Sequence, residues 1–324
     1  MTLFLHLVLL TAPPTFEEAW AQFAEARSGV CLGPAGDLAT PRAIESGPRK
    51  FELLGHRLVE RSKGDGTLRV GVISAIKDDR EPTLLAVRSL GAKMKQEDVD
   101  LILANGDLAE DELAMEGVFE TLANLGTLVV VTTGNTESCG SFNRMAGRTH
   151  AKHAHVVNGN WARRIELESG TLITLPGYYD KRFIHRAGVP VYSQKDLDAL
   201  AKLMEAAKQP VALVSHGPPR MSGKAAIDIA TDAGHVGDPA MHTAIEQLGI
   251  SFGIFGHILE AGGRGTDLNG TKALPEGVWH PQLYVNAGTA NPDPWPLLDG
   301  KTSHGMGLVV ELSEGKARYR VLRP

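Results

Sequence analysis

The sequence predicts an α/β fold whose sheet contains both parallel and antiparallel strands. Short apolar runs alternate with segments that carry apolar residues at helical spacing, which is typical of strand–helix–strand units. Two further segments, residues 161–175 and 307–322, alternate apolar and polar residues as antiparallel hairpins do. The chain has 324 residues, so one large domain or slightly more accounts for its length.

Six apolar runs predict the buried strands. They lie at residues 70–74, 101–104, 128–132, 211–215, 252–255 and 283–286. Helical spacing predicts helices over residues 83–96, 110–125 and 193–208. Ligands of such sheets bind beyond the carboxyl ends of the strands. The polar residues that directly follow the apolar runs are therefore the candidates for a functional site.

The N-terminal part of the chain differs in composition from the rest. Residues 3–12 read LFLHLVLLTA and are followed by Pro13-Pro14. This run is too short to span a bilayer, where about 20 apolar residues are needed, so an integral membrane protein is not expected. Residues 1–14 are a candidate signal peptide, although no Lys or Arg precedes the apolar run and a buried strand is the alternative. We expect export to the periplasm or cell envelope, with a cytoplasmic location as the alternative.

The remaining chain divides at about residue 67. Aromatic residues at positions 16, 20 and 23 have helical spacing, and residues 28–66 show no firm pattern. We expect residues 15–67 to form an extension that packs on a main domain of residues 68–324. Cys31 and Cys139 would be able to pair in an exported protein, or remain buried thiols in a cytosolic one.

Overall charge argues against a nucleic-acid partner. The formal net charge is -5 and the isoelectric point is about 6.2, so the chain has no overall basic field. The two cysteines have no CxxC spacing, which excludes a zinc ribbon. The candidate site must therefore come from the segments that follow the predicted strands.

Five short motifs follow these strands. They are GVISAIKDD (residues 71–79), LILANGDLAE (101–110), VVVTTGNTES (129–138), SHGPP (215–219) and GIFGHILEAGG (253–263). In order and setting they resemble the motifs of the calcineurin-like metallophosphoesterases, as does the later YVNAGTANP (284–292). The resemblance covers about residues 68–312. It implies a four-layer sandwich of two mixed β-sheets flanked by helices, with two metals between the sheet tops.

The resemblance implies that the first metal site of the family is lost. Its ligand positions fall on residues 75, 77, 107 and 259. In this chain they are Ala75, Lys77, Asp107 and Leu259, of which only Asp107 offers a usable ligand. Lys77 has two open interpretations: its ammonium replaces part of the lost metal's charge and attracts a phosphate, or it points to solvent.

The resemblance implies that the second metal site is complete. Its ligands fall on Asp107, Asn135, His216 and His257. One carboxylate, one amide and two imidazoles suit Zn²⁺, Mn²⁺ or Fe²⁺, so we expect one divalent metal ion, or none. Glu137 matches the acidic residue of the family motif and is expected to orient its neighbours.

The family's proton donor is also replaced. Its catalytic His corresponds to Thr136, whose hydroxyl is a poor acid at neutral pH, at a cost of roughly 10²–10⁴-fold in rate. Asp78 and Asp79 are expected in a solvated turn. The other histidines considered are expected in solvated loops or at the surface: His150, His153, His155, His185, His235 and His242.

Together the motifs predict a metallophosphoesterase-like protein without the two-metal reaction. We expect a pseudoenzyme that binds a phosphorylated ligand or a protein partner. The alternative is a phosphoesterase that hydrolyses phosphomonoesters or phosphodiesters with a single metal ion.

Overall fold

The computed structural model describes residues 32–33 and 37–324 of the chain. Within this part the strands are, in order, β1 Asp37–Ser46, β2 Arg49–Gly55, β3 Arg57–Glu60, β4 Leu68–Ile73, β5 Leu101–Asn105, β6 Val129–Thr132, β7 Val156–Asn158, β8 Arg164–Leu167, β9 Gly170–Leu175, β10 Val211–Ser215, β11 Ile229–Ala230, β12 Gly234–His235, β13 Phe252–Phe255, β14 Gly265–Thr266, β15 Ala273–Leu274, β16 Leu283–Asn286, β17 Trp295–Pro296, β18 Thr302–Ser303, β19 Gly307–Ser313 and β20 Lys316–Leu322. The α-helices are α1 Glu81–Gln96, α2 Glu112–Ala123, α3 Cys139–Lys152, α4 Gln194–Met204 and α5 Pro239–Leu248, and single 3-10 turns lie at Lys181–Phe183 and Leu259–Ala261.

Most strands belong to one of two mixed sheets. The larger sheet has the order β1-β2-β3-β8-β9-β10-β13-β16-β14-β15, and β9, β10, β13 and β16 are parallel neighbours. The smaller sheet has the order β20-β19-β4-β5-β6-β7, in which β4 to β7 are parallel and β19 is antiparallel to β4. The carboxyl ends of the parallel strands in each sheet therefore meet at one edge.

Three hydrophobic clusters separate four layers. The first lies between the sheets and joins residues such as Val72 and Leu103 of the smaller sheet to Val214 and Ile254 of the larger one. The second packs helices α1, α2 and α3 on the smaller sheet, and the third packs α4 and α5 on the larger sheet. This is the predicted arrangement of two mixed sheets flanked by helices, so the predicted fold class is confirmed.

Local sequence signals explain where the helices begin. The Asp111 side chain accepts a hydrogen bond from the Ala114 amide (2.8 Å) and caps α2. Asp238 caps α5 in the same way, and Gly249 ends that helix with φ of 63°. The six predicted strands, both hairpins and three predicted helices are present, with ends shifted by a few residues. Helices α3 and α5 were not predicted.

The N-terminal segment contributes to the larger sheet. Strand β3 pairs in parallel with β8, and β1 and β2 continue the sheet outward, so residues 37–60 extend the main sheet. The candidate signal peptide and the aromatic spacing at residues 16–23 lie outside the described residues. Cys139 is disulfide-bonded, while Cys31 also lies outside the described residues. No helix within residues 37–324 is long and apolar enough to cross a membrane.

Candidate metal centre

The loops at the shared edge of the sheets have an unusual backbone. Four residues other than glycine adopt positive φ there: Ala75 (49°), Lys77 (75°), Asp107 (54°) and His257 (64°). Such conformations cost of order 1–3 kcal/mol each and persist only where the surroundings enforce them. Two backbone hydrogen bonds join the first two loops, from the Ala75 amide to the Gly106 carbonyl (3.0 Å) and from the Lys77 amide to the Asp107 carbonyl (3.0 Å).

Two glycines allow these loops to approach closely. A Cβ on Gly134 would clash with the Asp107 carboxylate and lie 2.9 Å from the His216 ring. A Cβ on Gly106, whose φ is 76°, would clash with the same imidazole and lie 2.8 Å from the Gly134 Cα. The G-D and G-N pairs of the motifs therefore place a carboxylate, an amide and an imidazole within contact distance.

Asp107, Asn135 and His216 point their polar atoms at one another. The His216 Nε2 atom lies 3.1 Å from the Asp107 Oδ1 atom and 3.1 Å from the Asn135 Oδ1 atom. The side-chain Nδ2 atom of Asn135 donates a hydrogen bond to the Phe183 carbonyl (2.6 Å), which turns the Asn135 Oδ1 atom towards the cluster. All three side chains are buried.

His257 completes the group from the end of β13. Ligand atoms of Asp107, His216 and His257 all lie within 4.8 Å of one another, which forms a candidate metal site. The two imidazole rings are 5.1 Å apart between centroids, and the Tyr178 ring packs 4.2 Å from that of His257. Strands from both sheets thus supply the cluster.

The hydrogen-bonding pattern of His216 fits a bound cation. Its Nδ1 atom lies 3.0 Å from the Asn105 carbonyl, which only accepts, so Nδ1 carries the proton. A neutral ring then has a lone pair on Nε2, facing the oxygens of Asp107 and Asn135. Three acceptors that face one another require a proton or a metal ion between them. The separations of 3.1 Å between His216 Nε2 and the two oxygens also fit a shared metal ion, because ligand atoms that each bind one ion at about 2.0–2.2 Å lie at such distances from one another.

Electrostatics at the cluster favour a charged carboxylate. Burial acts to raise the pKa of Asp107, but the charge and hydrogen bond of His216 outweigh it, and the pKa lies well below its usual range. Burial acts to lower the pKa of His216, yet Asp107 raises it above its ordinary value. Burial and the neighbouring His216 lower the pKa of His257 to about 3, so His257 is neutral, as a metal ligand must be.

Glu137 lies behind the cluster rather than in it. Its carboxylate accepts hydrogen bonds from the Leu108 amide and from the Gly134 amide (2.8 Å). Burial and repulsion from Asp107 raise the pKa of Glu137 to about 7. The side chain therefore ties the loop after β5 to the loop after β6.

Ala75, Lys77 and Leu259 occupy the three positions at which the resemblance implies that ligands are lost. Ala75 is buried and has no coordinating atom, and the Leu259 side chain faces the cavity described below. Lys77 is exposed and borders that cavity, with its ammonium 5.6 Å from the centre of the Trp295 ring. Its charge lowers the pKa values of both Asp107 and His257. Lys77 is therefore solvated and also faces the cluster.

Thr136 has a structural partner. Its hydroxyl donates a hydrogen bond to the Asp107 Oδ1 atom (3.2 Å), and the backbone amide of Asn135 donates one to the same oxygen (3.2 Å). The hydroxyl therefore helps to hold the carboxylate of Asp107.

A cavity of about 420 Å³ opens beside the cluster. This volume is within the range of small-molecule sites. It is bordered by Lys77, Asp107, Glu110, Asn135, Thr136, Phe183, His185, His257, Leu259, Glu260 and Trp295.

Sequence reasoning missed several of these cavity residues. His185, expected as an ordinary loop histidine, is exposed on a loop but borders the cavity, with Nδ1 3.2 Å from Glu110 Oε1. Phe183 and Trp295 lie in segments without strand or helix periodicity, and only their exposed aromatic character would have suggested them.

Asp78, Asp79 and the histidines of the HAKHAH segment do not border the cavity. Asp78 accepts hydrogen bonds from Thr83 (2.6 Å) and Asn291 (2.9 Å). The prediction of a solvated loop for the HAKHAH segment was wrong. His150 is buried in α3 with Nδ1 2.8 Å from the Val156 carbonyl, because the segment ends that helix and leads directly into β7.

Comparisons with known proteins support one superfamily. A family model described as calcineurin-like phosphoesterase matches residues 68–261, more than half of the chain. One solved crystal structure matches with a TM-score of 0.57 at 15% identity, over 79% of this chain and 99% of that chain. TT1561 of Thermus thermophilus matches with a TM-score of 0.54 at 11% identity, over 78% and 98% of the two chains. No curated protein matches. At these identities the structural likeness shows the fold alone.

Proposed function

Because this chain belongs to the calcineurin-like phosphoesterase family, we propose that it binds one divalent metal ion and uses it to hold a phosphorylated ligand. Asp107, Asn135, His216 and His257 would hold the ion. The observation that carries the proposal is the convergence of three acceptor atoms on one point, with His216 Nε2 3.1 Å from the oxygens of both Asp107 and Asn135. When bound, the ion supplies a Lewis-acidic positive charge for a phosphoryl oxygen.

The proposal limits the centre to a single ion. Ala75 and Leu259 offer no ligand atom at the positions that the family uses for its other metal. The Lys77 ammonium borders the same cavity and repels a further cation. That ammonium also attracts an anionic ligand, so it favours phosphate where it disfavours metal.

The remaining residues hold the centre rather than transfer protons. Thr136 donates its hydroxyl proton to Asp107, and Glu137 fixes the two loops through backbone amides. No acid of suitable strength stands at position 136 to protonate a leaving group. These observations favour a binding protein, a pseudoenzyme of its family, over a two-metal hydrolase. The cavity volume favours a small phosphorylated ligand over a protein partner.

Two measurements on the purified protein test this proposal. Inorganic phosphate should bind the metal-loaded protein and not the chelator-treated protein. The metal-loaded protein should not accelerate hydrolysis of bis(4-nitrophenyl) phosphate above the rate of an Asp107→Asn variant. Metal-dependent turnover well above that rate would reject the assignment as a pseudoenzyme. Phosphate binding that is equal with and without the metal would reject the whole proposal.

One observation favours the second candidate function, a phosphoesterase that uses a single metal. His185 borders the cavity, and its Nδ1 atom lies within hydrogen-bond distance of Glu110, so its other ring nitrogen is free to meet a leaving oxygen. In that case His185→Asn should slow cleavage of alkyl phosphates much more than cleavage of nitrophenyl phosphates. His235→Asn is the matched control, because His235 pairs with Asp228 away from the cavity. Equal effects of the two variants would reject this candidate.

We also propose that the protein is exported to the periplasm or cell envelope. The disulfide of Cys139 supports this proposal, because disulfides persist mainly in oxidising compartments. Fractionation of cells that express the full chain with a C-terminal tag tests it. Recovery of the protein only in the cytoplasm, with a free Cys139 thiol, would contradict it.

A further inference from the structure

Apolar side chains border the cavity together with the polar residues of the metal centre. They belong to Phe183, Leu259 and Trp295. Among the described residues, six large apolar side chains are exposed. They are Leu85, Leu113, Phe183, Val191, Val278 and Trp295. The two aromatic members of this set, 37% and 38% exposed, both border this cavity, whereas the four aliphatic members do not.

Phe183 is fixed by contacts to the centre itself. Its carbonyl accepts the hydrogen bond from the Asn135 amide nitrogen (2.6 Å), and its ring centroid lies 6.2 Å from that of His257. The Tyr178 ring supports it from 6.1 Å at a right angle. Because a metal-ligand residue anchors the backbone of Phe183, the ring has a defined position beside the place where a phosphate would bind.

Trp295 is fixed from another part of the chain. It lies in β17, which pairs with β18 at the register Trp295 to Ser303. Its ring faces the Lys77 ammonium at 5.6 Å. The ring therefore lies next to the ammonium that would bind a phosphate. Its flat apolar surface can contact the organic group of a phosphate ester.

From these positions we infer that the cavity selects phosphate esters of planar aromatic groups, with the ring of the ligand packed against Phe183 and Trp295. The inference rests on the proposed function, since it assumes that the phosphate binds at the metal and Lys77. Exposed aromatic side chains recognise rings by stacking, and base–aromatic stacking has the strength needed for selectivity. Aryl phosphates and nucleoside monophosphates share this chemistry.

A cationic ligand group is the main competing occupant. Glu110 and Glu260 also border the cavity, and aromatic rings attract quaternary ammonium groups. However, the carboxylate of Glu110 is already paired with His185 (3.2 Å) and Arg186 (3.3 Å). The Trp295 ring already carries the Lys77 ammonium, which would repel a second cation. The charges therefore favour a neutral ring.

Calorimetric titration of the metal-loaded, full-length protein tests this inference. The ligands are phenyl phosphate, adenosine 5′-monophosphate, glycerol 1-phosphate, phosphocholine and inorganic phosphate. At least one of the two ring-bearing esters should bind about tenfold more tightly than glycerol phosphate, and the comparison of the two identifies which kind of ring the cavity accepts. Phe183→Leu and Trp295→Leu should each remove most of this preference and lower the affinity for inorganic phosphate by a much smaller factor. Val278→Ala, an exposed site outside the cavity, is the control.

The outcomes separate the inference from the function on which it rests. If glycerol phosphate or phosphocholine binds as tightly as the ring-bearing esters, the inference is overturned and the proposed function stands. The same holds if the leucine variants keep the preference for rings. If the metal-loaded protein binds no phosphate compound, both are overturned.

Discussion

Asp107→Asn is the substitution that perturbs the metal centre with the least disturbance of the fold. Asn has the same shape as Asp and tolerates the positive φ of 54° found at this position. The amide oxygen can still accept the hydrogen bonds that Asn135 and Thr136 donate to Oδ1. What is lost is the only carboxylate among the four candidate ligands.

The expected effect on metal affinity is large. Loss even of a group that only orients a ligand weakens metal binding by about 10–100-fold, so loss of this carboxylate should cost roughly 100-fold or more. At a metal concentration of about 100 times the wild-type Kd, binding stabilises the wild type by about 2.7 kcal/mol. The variant at the same concentration gains only about 0.4 kcal/mol. For a chain of this size, these values correspond to increases in Tm of roughly 5 °C and 1 °C.

The assay is differential scanning calorimetry with and without Zn²⁺ or Mn²⁺, together with a direct measurement of Kd by competition with a chromophoric chelator. Asp232→Asn is the matched control, because it removes the same charge from an exposed position. An Asp107→Asn variant with the metal-induced increase in Tm and the Kd of the wild type would refute the assignment of Asp107 as a ligand.

Three further predictions concern the same region. Because Asp107 raises the pKa of His216, protons compete with the metal up to a higher pH than at an ordinary histidine. The metal affinity should therefore fall about tenfold per pH unit below that pKa and level off above it. A metal affinity that stays constant from about pH 5.5 to 8.5 would contradict this. Glu137→Gln should cost about 1–3 kcal/mol in urea unfolding at about pH 6, because each oxygen of the Glu137 carboxyl group accepts a hydrogen bond from a backbone amide, whereas the NH₂ group of Gln accepts none. The folded pKa of Glu137 is raised to about 7, so wild-type stability declines as pH rises through 7 and the difference should shrink at about pH 8.5; a growing difference would refute the assigned pKa. Lys77→Met should weaken phosphate binding several-fold and reduce its salt dependence, while the metal content is unchanged. Unchanged phosphate binding would show that the Lys77 ammonium points to solvent and does not attract the phosphate.

The candidate centre was predictable because its residues follow strands. Asp107, Asn135, His216 and His257 each come directly after a short apolar run, and parallel strands bring their carboxyl ends together. Local spacing therefore carried information about three-dimensional proximity. The alternation of these runs with helices and the two hairpins predicted a mixed α/β sheet, whereas the arrangement in two sheets was implied by the resemblance to the calcineurin-like metallophosphoesterases.

The cavity residues outside the centre were not predictable in this way. Phe183 and His185 lie on or beside a single 3-10 turn, and Trp295 lies in a two-residue strand, so no periodic pattern marks their direction. Their places depend on long-range contacts, such as the hydrogen bond from Asn135 to the Phe183 carbonyl. The histidines of the HAKHAH segment were misjudged for a related reason, since the polar composition of that segment conceals the buried face of α3.

The number of metal ions per chain decides whether the centre holds a single ion. The purified protein is saturated with Zn²⁺ or Mn²⁺, freed of loosely bound ions by gel filtration, and measured by mass spectrometry of the metal against protein concentration. We expect one ion per chain in the wild type and almost none in Asp107→Asn. Two ions per chain would show that the centre is dinuclear despite Ala75, Lys77 and Leu259. A wild type without metal would show that the four polar residues serve only as a hydrogen-bonded framework.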